Sequence, residues 1–161
     1  MTSPQYTTAP PAAPVGETPL SAPLYGASPV QAVQRFFKKY ADFTGRASRS
    51  EFWWWYLFNV IALFGGGIVM AMFSSGGATV NHDGSTSPGP TSWLLGLFLM
   101  VWTLGTIVPQ IALMWRRIHD GNRSGLFFFL GFIPSLGGIL LLGMMAERSK
   151  PAGARFDRPH F

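Results

Sequence analysis

The densest chemistry in the chain lies in "MWRRIHDGNRSGLFFF", Met114 to Phe129. His119 beside Asp120 suggests a general base with its carboxylate. Neighbours in sequence rarely point at one another, however, so the two do not make a base and its orienting group. Ser124 would serve as a nucleophile only if the fold carried it to His119. A metal would need His119, Asp120 and Glu51 to converge, because His82 belongs to another loop. No catalytic, metal or cofactor site is assigned, and the chain is expected not to be an enzyme. Arg116, Arg117 and Arg123 suit an anion better. Basic pockets beside helix ends hold lipid headgroups, and Arg46 and Arg49 are expected on the same face.

What must position these residues is apolar. The 161 residues are 48% hydrophobic and only 12% charged, against about 25% charged in a typical soluble domain. Three uncharged runs cover residues 52–73, 93–115 and 126–146. At 1.5 Å per residue, each reaches about 30 Å, the thickness of a hydrocarbon core. Pro109 is expected to kink the second run or release a carbonyl there. Ser48 and Glu51 have the spacing of a capping box, so a helix should begin near Arg49. Trp53, Trp54, Trp55 and Tyr56 at its start, with Trp93 and Trp115 at the ends of the second run, read as interface anchors. Polar side chains within the runs, Asn59 and Gln110 among them, would join helices.

Before the first run, Val33, Phe36, Phe37 and Tyr40 share one face of a short helix flanked by Arg35, Lys38 and Lys39. That pattern suits an amphipathic helix lying in the membrane interface. Met1 to Val30 carries seven of the 13 prolines and one charge, Glu17. It lacks the basic and apolar regions of a signal peptide and reads as disordered. The expected organisation is a disordered cytoplasmic tail over residues 1–31, a membrane domain over 32–147 and a basic tail over 148–161. The expected fold class is an all-α integral membrane protein with about three transmembrane helices.

The charge distribution orients the chain. Net charge is +5, from 12 Lys and Arg against seven Asp and Glu. Five of the twelve precede the first run, none lies between the first and second, three follow the second and four follow the third. The positive-inside rule therefore puts the N-terminus and the loop after the second run in the cytoplasm. The last four conflict with a third crossing. Length favours that crossing, whereas Pro134, Gly137 and Gly138 would permit a re-entrant turn.

Two segments resemble the DUF805 family of small bacterial inner-membrane proteins. "GRASRSEFW" supplies Gly45, Arg46, Arg49, Glu51, Phe52 and Trp53 of the first family motif. "RRIHDGNRS" supplies Arg116, Arg117, Ile118, His119, Asp120, Arg123 and Ser124 of the second. The resemblance implies a plasma-membrane location and brings no established activity.

Two roles for the basic face follow. It contacts anionic lipid headgroups or a protein partner, or it forms an ion-pair latch joining Arg46 or Arg49 to Asp120 and Glu51 to Arg117 or Arg123. A buried charge without its partner costs several kcal/mol, so Asp120→Ala is expected to lower stability and Arg123→Glu to lower it further. Asp120, Asn122 and Ser124 compete to cap the next helix. The function expected is a structural or interaction role in the inner membrane. The alternative is an oligomeric small-solute transporter or channel component, against which stands the lack of charge inside the runs. Self-association through small residues is plausible on composition. Nucleic acid is not an expected partner, because the basic residues border the runs.

Overall fold

A computed structural model describes residues 18–20, 22–74, 78–87 and 89–157. The helix α1 (Pro29–Lys38) opens on a capping box: the Gln31 N–H donates to Ser28 Oγ at 3.3 Å, and the Ser28 N–H donates to Gln31 Oε1 at 2.9 Å. Pro29 at the first helical position gives up an N–H that would have no helical partner. The disordered tail expected over residues 1–31 needs correcting here. Residues 1–17 and 21 lie outside the described part, but residues 18–20 and 22–27 are strapped onto the membrane domain. Arg35 donates to the carbonyls of Thr18 and Pro19, and the Ala27 N–H donates to Ser50 Oγ at 2.9 Å. Composition hid this because the bonds use backbone groups, which every residue carries.

The interfacial reading of α1 also changes. Phe36 is buried and stacks on Trp55, but Arg35 and Lys39 are buried with it. The helix and its C-cap Lys39 turn these two cations inward, toward α2 (Arg49–Ser74), which follows.

The helices α2 and α3 (Pro90–Asp120) are each long and apolar enough to cross a membrane by length and composition. Between them lies a two-stranded hairpin, β1 (Thr79–Val80) paired with β2 (Thr86–Ser87). Along both helices large apolar side chains such as Phe64, Ile68, Met72, Leu94 and Phe98 are exposed. A soluble protein would not leave so much contiguous apolar surface in water. Among the bonds that tie the pair, Trp55 Nε1 donates to Gln110 Oε1 at 2.6 Å, and Trp102 Nε1 donates to Asn59 Oδ1 at 3.1 Å. Thr103 and Thr106 instead bond carbonyls of their own helix. Pro109 sits inside α3 and cannot donate to the carbonyl four residues back, Gly105. The Tyr40 hydroxyl donates to that oxygen at 2.7 Å.

The third apolar run does not form one spanning helix. It is a 3-10 helix over Gly125–Phe132, a turn, and α4 (Gly137–Ala146). Pro134 has no N–H to continue a helix, and Ser135 takes a positive φ of 68°. Each arm reaches only about 15 Å. They pack as a hairpin so close that a Cβ on Gly137 would lie 2.0 Å from the Leu130 carbonyl oxygen. The turn satisfies backbone groups internally: the Leu136 N–H donates to the Pro134 oxygen at 2.8 Å, and the Gly137 N–H donates to the Ile133 oxygen at 3.0 Å. Such closure is what irregular backbone at membrane depth requires. A length test counts apolar residues and is blind to this reversal.

Candidate functional site

The ends of α3 and α4, the start of α2 and the two flanking segments meet in one charged layer. Beneath it lie Phe36, Phe52, Trp55, Leu113, Ile118 and Met145. Two buried carboxylates organise the layer.

Asp120, at the last position of α3, is fully buried. It accepts from Arg117 of its own helix, from the Ser149 hydroxyl and, at 3.3 Å, from the Tyr25 hydroxyl. Arg46 approaches it at 3.8 Å. One carboxylate thus binds α3, the N-terminal strap, the loop before α2 and the C-terminal segment. Glu51 is the second. Its carboxylate closes the capping box by accepting the Ser48 N–H at 2.8 Å, while the Glu51 N–H donates to Ser48 Oγ at 3.2 Å. It also pairs with Arg35 and accepts the Leu24 N–H at 3.2 Å.

Several anticipated pairings are corrected. Glu51 pairs with Arg35, and neither Arg117 nor Arg123 reaches it. Arg117 pairs with Asp120 and also donates to the carbonyls of Met145, at 2.9 Å, and Glu147. Arg123 pairs with Glu147, which Lys150 also meets at 2.7 Å. Arg46 is anchored by Asp157, with Nε to Oδ1 at 2.9 Å and Nη2 to Oδ2 at 2.6 Å. Arg49 joins no ion pair among the described residues. The carboxylates Glu147 and Asp157 were missed because they lie far along the chain, where only folding brings them back. Arg35, buried on α1, was read as flanking charge because helical spacing alone does not say which face points inward.

His119 turns away from Asp120. Its Nδ1 donates to the Gly45 carbonyl at 3.1 Å, and its ring stacks on Phe156 at 4.1 Å. Gly45 has a φ of 74° and returns its own N–H to the Phe156 carbonyl at 3.0 Å. The C-terminal segment is held here too. A Cβ on Gly153 would lie 2.7 Å from the His119 carbonyl oxygen, so only glycine allows that approach. Ser124, not Asp120 or Asn122, caps the next element, accepting the Leu126 N–H at 3.4 Å.

Arg116 is buried with its Nε bonded to the Ala112 carbonyl at 3.2 Å; its two terminal nitrogens have no partner among the described residues. Beside it is a cavity of about 10 Å³ lined also by Arg35, Lys39 and Glu51, about the room one water occupies. Burial pushes the Lys39 ammonium down to about 8, with Glu51 opposing and Arg35 and Arg116 adding to the shift. Hydrogen bonding to Asp157 raises Arg46.

The aromatic anchors divide. Trp53, Trp54 and Trp93 are exposed. Trp55 is fully buried between Phe36 and Gln110, so its place as an interface anchor is withdrawn. Tyr56 and Trp115 are half-buried, and the Trp115 ring lies where a Cβ on Gly125 would fall.

Two long apolar helices exposed along their length, closed at one end by a buried charged layer, define a helical membrane protein. The chain belongs to the DUF805 family, described as a protein of unknown function, whose model matches residues 40–158. It is 35% identical over 123 residues to the inner membrane protein YhaI of Escherichia coli, covering 74% of this chain and 86% of that one. It is 26% identical over 125 residues to the inner membrane protein YhaH of the same organism, covering 76% and 89%. No solved structure matches. An inner-membrane location follows from these relatives.

Proposed function

We propose that this protein crosses the inner membrane twice, keeps both termini in the cytoplasm and inserts a half-depth hairpin from that side. Its role is structural or interaction-based: the charged layer presents a basic face to anionic lipid, and no catalysis takes place there. The observation that carries the topology is the pairing of Arg123 with Glu147. These residues flank the third apolar run, so its entry and exit lie side by side. With that return, all twelve Lys and Arg fall on one side of the membrane and none in the opposite loop, which removes the conflict with the positive-inside rule. The non-catalytic role is supported by the diversion of His119 and Asp120 to separate structural partners.

The chain has no cysteine, so single labels are clean. Ser85→Cys should react with a membrane-impermeant maleimide in spheroplasts. Ala152→Cys, exposed in the C-terminal segment, should react only in inverted vesicles. Labelling of Ala152→Cys from the outside would overturn the topology.

A further inference from the structure

The charged layer opens at one edge into a groove lined by two of its arginines. Between the first turns of α2 and the end of α4 lies a groove of about 780 Å³, the size of a small-molecule site. Tyr25 and Ser149 close its inner end. Its rim carries Arg49 and Arg148, and its wall is Trp53, Trp54 and Leu57.

The hydroxyls of the groove are committed, whereas its two arginines have no ion pair among the described residues. The Tyr25 and Ser149 hydroxyls bond Asp120. The Ser50 hydroxyl accepts from the Ala27 N–H and reaches the Leu24 carbonyl. The neighbouring carboxylates are also committed, Asp120 to Arg117 and Glu147 to Arg123 and Lys150. Arg49 and Arg148, both exposed, therefore lack an internal counter-charge among the described residues. Arg49 and Trp53 are four residues apart, one turn of α2, and Leu57 lies a further turn along. The cationic rim thus passes into an aromatic and then an aliphatic wall in the order that a bilayer passes from headgroup to acyl chain.

We propose that this groove binds one anionic phospholipid of the cytoplasmic leaflet, its phosphate held between Arg49 and Arg148 and its acyl chain laid along Trp53, Trp54 and Leu57. The assignment of leaflet rests on the topology proposed above; the binding itself does not. Arg46, Arg117 and Arg123 are excluded from the contact because carboxylates already occupy them.

Native mass spectrometry of the full chain in detergent tests this, with phosphatidylglycerol, phosphatidylethanolamine and glycerol 3-phosphate as probes. Phosphatidylglycerol should be retained over phosphatidylethanolamine. Glycerol 3-phosphate should not be retained, because it has no chain for the apolar wall; its retention would overturn the lipid assignment. Arg49→Gln and Arg148→Gln should each weaken retention about fivefold. Leu57→Trp, which fills the wall and leaves both charges, should also weaken it. Arg155→Gln, outside the groove, should change nothing. Retention unchanged in the double arginine variant, or lost equally in Arg155→Gln, would overturn the site. A micelle has no inside, so external labelling of Ala152→Cys would refute the topology while leaving this result standing.

Discussion

The two halves of this molecule are held together by different means. In the membrane half, α2 and α3 share two Trp-to-amide hydrogen bonds, and most large side chains point outward. In the charged layer, carboxylates from distant parts of the chain each gather several donors in a buried setting. Lipid tails are as apolar as the side chains they meet, so burial gives little drive to join helices in the membrane. The layer has no such indifference, because an unmatched charge there is costly. The unique arrangement is therefore enforced at the membrane edge, and the spans follow.

The sharpest way to break this contrast is to empty its centre. Asp120→Ala strands the buried Arg117 and releases the strap and the C-terminal segment together. A loss of roughly 3–5 kcal/mol is expected, seen as a collapse of the melting temperature in detergent and easy proteolysis after Tyr25. An unchanged melting temperature would show that the layer does not organise the fold.

The matching test in the membrane half is Gln110→Leu, which leaves Trp55 Nε1 without an acceptor. It should cost about 1 kcal/mol. If it equals Asp120→Ala, the two halves do not differ as argued.

Arg123→Glu comes next. The sequence suggested that it would exceed Asp120→Ala. Yet Arg123 and Glu147 are about a third exposed, with side-chain accessibilities of 34% and 29%, whereas Asp120 and Arg117 have none. Solvent screens the exposed pair, and about 1 kcal/mol is expected. Combining Arg123→Glu with Glu147→Arg should restore most of it. No rescue would mean that the two ends of the hairpin are held by something else.

Tyr40→Phe should cost under about 1 kcal/mol, by leaving the Gly105 carbonyl without a donor. Pro109→Ala supplies the missing helical N–H, so in that background the Tyr40→Phe effect should vanish in a double-mutant cycle.

The last test is a pH dependence. Lys39 is held near 8 in the fold, below its ordinary 10.5. Between those values the unfolded chain binds more protons than the folded one, so the Lys39 contribution makes stability rise as pH increases from about 8 to about 10.5. Lys39→Met should raise the melting temperature near neutral pH, and its advantage should shrink above pH about 8. A constant difference across that range would refute the assignment.

Legibility follows the same division. The spans at residues 52–73 and 93–115 are readable because apolar length is a property of consecutive residues. The Ser48–Glu51 box is readable because its bonds close within one turn. A carbonyl freed by Pro109 was also foreseeable, although not that Tyr40 would serve it. Pairing in the charged layer was only partly visible: Arg46 near Asp120 was one of the choices, but Glu51 with Arg35 was not. Nothing local selects among so many arginines and carboxylates spread from residue 35 to 157.

By itself, then, the sequence determined that this is a helical membrane protein, where two of its helices run and at which of their ends the Lys and Arg residues lie. Those properties are sums over neighbouring residues. Only the tertiary structure decided that the third apolar run doubles back, that the Pro-rich approach to α1 is tied down, and that Arg49 and Arg148 join no ion pair among the described residues. Each of these depends on which distant groups consume one another's hydrogen bonds and charge, and that exchange exists only once the chain is folded.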